Sequence, residues 1–194
     1  MRPLRSRMDA RLVDFHRDPL EGQMTPLERR ELYRIVRDLR PDYAFEVGTW
    51  KGGGSTYVIA QALKKNRQGT LYTVEAEEGL YDHARALYAG RLRPLKPYVR
   101  FHLGRSQDVY PGVLETVERV DLALLDGAED ADQTWLEFQM FLPKLGRGSV
   151  LVCHDWRTQK MGRVRPLLES DPRWECAVRV PDGPTGLTAW RRVE

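Results

Sequence analysis

Cysteine is scarce in this chain. Cys153 and Cys176 are the only two among 194 residues, and their wide separation suits neither a disulfide framework nor a zinc motif. Cys153 falls in an apolar run and reads as a buried thiol. No apolar run approaches the roughly 18 residues that a membrane helix requires. The opening Met1-Arg2-Pro3-Leu4-Arg5-Ser6-Arg7 lacks the apolar stretch of a secretory signal, and Asp9 and Asp14 argue against a transit peptide. A cytoplasmic location and no membrane association are the expectation. Charge of one sign is also lacking: 31 basic residues face 28 acidic ones, a net +3. Arg2, Arg5, Arg7 and Arg11 read as a solvated arm, and no basic stripe with interleaved aromatics points to nucleic acid. Repeats and low-complexity segments are absent.

What is present is ordinary for a globular protein, with 41% hydrophobic and 30% charged residues in a length suited to one domain, 1–194. Residues 1–24 are polar and irregular, an arm or lid in which His16 is one candidate to fold over a site. A leading helix at 25–40 is announced by Thr25 as cap, Pro26 in the first turn and Glu28 closing a capping box; Pro41 stops it. From residue 43 to 192, strands and helices alternate. Strands are expected at 43–47, Thr70–Glu75, Val99–Gly104, Val120–Asp126 and Ser149–Asp155. Helices are expected at 53–66, Gly79–Leu92, a short stretch from Ser106, Ala131–Leu142, and around Val164–Leu168. Two last strands, Trp174–Val180 and Gly186–Arg192, flank the turn signal Pro181-Asp182-Gly183-Pro184. The pattern predicts a Rossmann-like, doubly wound α/β sheet of seven strands. It is mostly parallel, carries helices on both faces and closes with an antiparallel hairpin.

The stretch Tyr43-Ala44-Phe45-Glu46-Val47-Gly48-Thr49-Trp50-Lys51-Gly52-Gly53-Gly54-Ser55 organises the rest. A strand runs into a glycine-rich bend and then into a helix, the opening unit of such a sheet. A dinucleotide fingerprint needs glycine at the first, third and sixth places. Counting from Gly48 the third is Trp50, and counting from Gly52 the sixth is Tyr57. A P-loop needs Gly-Lys before Ser or Thr, whereas Lys51 precedes its glycines. The remaining pattern is Glu46-x-Gly48-x-x-x-Gly52, and a helix-capping loop without a ligand would carry the same glycines. Burying the Glu46 carboxylate demands a polar partner, expected to be a ligand. Ligands of open α/β sheets sit beyond the strands' carboxyl ends, where Glu46, Glu75, Asp126 and Asp155 all fall. Four converging acids repel one another unless donors or cations stand between them.

Glu46-x-Gly48-x-x-x-Gly52 resembles the first motif of the class I S-adenosylmethionine (SAM)-dependent methyltransferases, and the resemblance extends over roughly residues 43–192. It is nearest to the catechol O-methyltransferase type and related bacterial small-molecule O-methyltransferases. It implies that SAM lies along Glu46, Gly48, Thr49, Trp50, Gly52 and Gly54. It also implies that Glu75, followed by Ala76, holds the ribose hydroxyls, and that Gly104-Arg105-Ser106-Gln107-Asp108 passes the adenine. SAM offers what converging acids call for: a diol, an ammonium and a sulfonium. The implied reaction is O-methylation of a small-molecule hydroxyl, and the family admits a homodimer.

Metal-dependent members bind a divalent ion, magnesium or manganese, through positions that correspond to Asp126, His154 and Asp155. A histidine ligand would favour manganese, iron or zinc over magnesium. Neighbouring strand residues point oppositely, so His154 and Asp155 share a site only if the strand has already broken. His154 is alternatively the general base. Glu129 stands where the catechol type has a catalytic lysine, so that base is missing. In a metal-free variant, Asp126 and Asp155 hydrogen-bond substrate and loop. Trp50, Trp156 and Tyr110 are weaker pocket candidates, while His102 and His83 are expected to be solvated. Two other functions stay open: a binding protein of the same fold without turnover, and an NAD-dependent oxidoreductase.

Overall fold

The computed structural model describes residues 20–127, 129–180 and 185–194. The Arg-rich start, His16 and the Pro181–Pro184 turn lie outside them. Helix α1 (Pro26–Leu39) opens with the expected capping box. Glu28 N–H donates to Thr25 Oγ1 at 3.3 Å, and Thr25 N–H donates to Glu28 Oε2 at 2.9 Å. Strands β1 (Tyr43–Val47), β2 (Thr70–Glu75), β3 (Val99–Leu103), β4 (Leu122–Leu125), β5 (Val150–His154), β6 (Trp174–Val180) and β7 (Leu187–Arg192) form one sheet, in the order β3-β2-β1-β4-β5-β7-β6. β7 alone runs against the others. Helices α2 (Ser55–Asn66), α3 (Glu78–Ala89), α4 (Ser106–Glu115), α5 (Ala131–Phe141) and α6 (Val164–Ser170) complete the frame, with 3₁₀ turns at Arg93–Tyr98, Leu142–Lys144 and Gln159–Met161.

The alternation of strand side chains divides the core. Ala44, Leu122, Leu124, Val150 and Val152 pack with α1 and α2 on one face. Phe45, Ala123, Leu125, Leu151 and Cys153 pack with α4, α5 and α6 on the other. Both faces are covered, which is why the central strands read as apolar runs without polar alternation. Cys153 is fully buried, as expected, and burial pushes its thiol well up. Trp156 and Tyr110 belong to this second core, not to a pocket wall. Trp156 packs on Trp190 at 5.4 Å between ring centroids, and the Tyr110 hydroxyl donates to the carbonyl of Glu46.

His102 also departs from its expected solvated state. It is half-buried on edge strand β3, 6.2 Å from the Tyr72 ring and stacked on it, with no partner for Nε2 among the described residues. Burial lowers its pKa, which disfavours charge on the ring. The predicted 79–92 helix ends at Ala89, because Gly90 caps it by donating to Ala86 O and a 3₁₀ turn containing Pro94 and Pro97 follows.

Strand order reverses between β1 and β4: one half of the sheet winds outward through β2 and β3, the other through β5. The crevice beyond that switch point is where an open α/β sheet holds its ligand.

Candidate functional site

A cavity of about 560 Å³ opens at the switch point, over the carboxyl ends of β1, β2 and β4. Gly48 closes its floor. At φ 93° it occupies a region that other residues avoid, and a Cβ there would stand 2.5 Å from the Asp126 carbonyl oxygen. The turn after β1 can therefore lie directly against the turn after β4, which brings Asp126 onto the cavity wall. The described end of the N-terminal arm crosses the glycine bend. A Cβ on Gly53 would meet Glu21 O at 2.3 Å, Lys51 pairs with Glu21, and Gly22, Gln23 and Met24 line the cavity.

Of the residues expected at a cofactor, Gly48, Thr49, Trp50, Gly54, Glu75, Ala76, Gly104, Ser106 and Asp126 all line this one cavity. Glu75, at the end of β2, is fixed from both oxygens: Trp50 N–H donates to Oε2 at 2.8 Å and Glu77 N–H to Oε1 at 3.0 Å. Each carboxylate oxygen keeps further acceptor capacity toward the cavity. Trp50 reaches Glu75 from a left-handed conformation (φ 49°). Carboxylates dominate the wall: Glu75, Asp126, Glu129, Asp130 and Glu137 against Arg105. Glu137, which no sequence motif singles out, accepts from Ser106 Oγ at 2.9 Å and Gln133 Nε2 at 3.1 Å through Oε1, while its buried Oε2 has no partner among the described residues. Burial raises its pKa, and the two hydrogen bonds oppose that only partly.

Two expected residues stand off the cavity. Gly52 packs against α3, where the Tyr88 hydroxyl donates to its carbonyl at 3.2 Å. Glu46 is fully buried, and its partners are the protein's own hydroxyls, not a ligand. Thr56 Oγ1 donates to Oε2 at 2.6 Å and Thr73 Oγ1 at 2.7 Å. Thr49, whose hydroxyl is 2.5 Å from that of Thr73, links this buried group to the cavity wall. Burial lifts Glu46 to about 7, with the hydroxyls of Ser55, Thr56 and Thr73 pulling the other way.

Its folded pKa exceeds the unfolded value of 4.5, so the protonated form is the one the fold favours. The stability this contributes is fully present below the unfolded value and is lost as pH rises through the folded one. Glu46→Gln removes this term. Between about pH 5 and about pH 8, the wild type should lose on the order of 3 kcal/mol more than the variant. Urea denaturation of both proteins across that range tests this, and parallel curves would contradict it.

Beside Asp126 lies a compact ionic cluster. β5 ends at His154, and Asp155 breaks the strand at φ 55°, so the two neighbours turn onto one site. His154 Nδ1 lies 2.8 Å from Asp126 Oδ1 and 3.3 Å from Asp155 Oδ1, while Nε2 is 3.6 Å from Glu28 Oε2, an ion-pair distance too long for a hydrogen bond. Burial opposes charge on this ring, but Asp126, Asp155 and Glu28 together outweigh it and push the imidazole up to about 12. A ring held as a cation, 4% exposed and off the cavity wall, has no free nitrogen with which to take a proton. The general-base role expected of His154 is therefore not supported.

Lys160, in the 3₁₀ turn after β5, completes the cluster with Nζ at 2.6 Å from Asp155 Oδ2 and 3.5 Å from Asp126 Oδ1. Burial works against its charge, and Asp126 and Asp155 more than restore it, raising its pKa. Burial likewise raises Asp155, but hydrogen bonds from His154, Lys160 and Thr185 hold it well below the usual carboxylate range.

Residues 45–156 match the family described as a methyltransferase domain, more than half of the chain. The chain belongs to the methyltransferase domain family. Solved structures share the fold across nearly the whole sequence of this methyltransferase-family chain. The O-methyltransferase TomG of Streptomyces achromogenes, involved in tomaymycin synthesis and solved with SAM, is 20% identical with a TM-score of 0.75, covering 89% of this chain and 82% of its own. An O-methyltransferase from Bacillus cereus, in complex with S-adenosylhomocysteine, is 20% identical with a TM-score of 0.72, covering 88% and 83%. A protein from Klebsiella pneumoniae described as an O-methyltransferase is 20% identical with a TM-score of 0.73, covering 94% and 88%. No curated protein matches the sequence. Among the described residues, no helix is long and apolar enough to cross a membrane.

Proposed function

We propose that this methyltransferase-family chain transfers the methyl group of SAM to a hydroxyl of a small molecule, in the cavity at the β1–β4 switch point. The observation that carries the reading is the acidic wall of that cavity, with Glu75 presented at the end of β2 by two backbone donors. A carboxylate there accepts from both hydroxyls of a ribose. The surrounding acids suit an ammonium and a sulfonium and disfavour the pyrophosphate of a dinucleotide. Toward the adenine end, along Gly104–Gln107, Glu137 accepts from Ser106 Oγ and holds that segment in place.

Methyl transfer to oxygen is an in-line displacement at an already activated carbon, so the protein's tasks are alignment and proton removal. Asp126 is the member of the ionic cluster that lines the cavity. It accepts the acceptor's O–H and takes its proton as the methyl group arrives, while buried His154 and Lys160 fix its carboxylate from the other side. Labelled SAM offered with a panel of phenols, catechols and sugars, together with amine and RNA controls, tests the reaction. Label on the hydroxyl compounds is the expected result, and label confined to the controls would contradict it.

A further inference from the structure

We propose that Lys160 is a built-in substitute for the divalent metal, a fixed monovalent cation seated between Asp126 and Asp155. Asp126, His154 and Asp155 each offer one ligand atom within 4.8 Å of the others, which by composition is a metal site. The way these atoms are engaged does not fit an ion. His154 Nδ1 is closed against two carboxylates, 2.8 Å from Asp126 Oδ1 and 3.3 Å from Asp155 Oδ1, so these atoms are engaged with one another. Asp155 Oδ2 is taken by the Lys160 ammonium at 2.6 Å, and the same ammonium reaches Asp126.

The chain is folded to deliver that lysine. Thr158 returns its backbone N–H and its hydroxyl to Asp155 O, each at 2.9 Å, and the turn that follows brings Lys160 back over the carboxylate two residues later. The side chain is 1% exposed, and a buried ammonium is tolerated only where acids compensate it, so Lys160 and the Asp126–Asp155 pair are mutually required. A divalent ion added to the cluster would meet the Lys160 ammonium already seated against both carboxylates. Lys160 does not line the cavity and acts through Asp126, which makes it a positioning residue.

This inference rests on the proposed function only for the role of Asp126, and metal binding can be read without any turnover. The probe is manganese, followed by its free-ion electron paramagnetic resonance signal and by thermal shift, for wild type, Lys160→Met and Lys160→Arg, with circular dichroism as the check on folding. The wild type and Lys160→Arg should leave the manganese signal undiminished. Lys160→Met, with the ammonium gone and the carboxylates of Asp126 and Asp155 free to turn to an ion, should bind manganese and gain thermal stability from it. Manganese binding by the wild type would overturn the proposal, as would a folded Lys160→Met that binds none. If Lys160→Met does not fold, the wild-type arm still decides: methyl transfer undiminished in EDTA agrees with the proposal, and loss in EDTA restored by manganese refutes it. An absence of methyl transfer under every condition would count against the proposed reaction while leaving the manganese result intact.

Discussion

Asp126→Asn should lower the rate of methyl transfer by roughly 100- to 10,000-fold, the range expected when a positioned proton acceptor is removed, while SAM affinity changes only a few-fold. The asymmetry follows from the geometry. Asp126 lines the cavity and its carboxylate belongs to the ionic cluster, while the fit of its backbone against Gly48 is untouched by the substitution. The amide is neutral, so it cannot take the acceptor's proton or balance His154 and Lys160. Some stability is therefore lost as well, and thermal unfolding should be followed alongside kcat so that the two losses are separated. A variant that keeps its rate would remove Asp126 from the chemistry.

Glu75→Ala should act on binding instead. Hydrogen bonds to a charged acceptor contribute about 1.5–3 kcal/mol each, so losing two to a ribose diol should weaken SAM binding at least ~100-fold. The same truncation frees the N–H groups of Trp50 and Glu77, which loosens the bend that shapes the cavity. Glu75→Gln keeps one acceptor oxygen and should fall between the two. Calorimetric titration with S-adenosylhomocysteine ranks the three proteins, and equal affinities would show that the β2 acid holds no sugar.

The strand, glycine bend and helix of 43–66 were legible because local patterning decides them: an apolar run, positions that only glycine suits, and helical spacing after Ser55. The acids at strand ends were legible for the same reason, since the carboxyl edge of a parallel sheet is fixed once the strands are placed. What the chain conceals is which donors reach those acids. Converging carboxylates were expected to draw their compensation from a ligand, yet Oε2 of Glu46 accepts from Thr56 and Thr73, and Asp155 is met by Lys160 and His154. Thr56 lies ten positions from Glu46 and Thr73 on the neighbouring strand, contacts that spacing alone does not announce.

Lys160 was hidden more completely, because only the left-handed Asp155 and the 3₁₀ turn beyond it bring the lysine back. The conflict between adjacent strand residues sharing one site was visible in advance. Its resolution, a strand ending at His154, is backbone geometry. Glu28 shows the reverse case. Its capping box was plain from Thr25-x-x-Glu28, but its second position, 3.6 Å from His154, depends on how α1 packs across the sheet.

The central claim, that the acidic crevice at the β1–β4 switch point holds SAM, is tested most directly by titrating the wild-type protein with S-adenosylhomocysteine and, separately, with NAD. Saturable one-to-one heat with the homocysteine nucleoside and none with NAD is the predicted result. Binding of NAD, or silence with S-adenosylhomocysteine from a folded protein, would contradict the account.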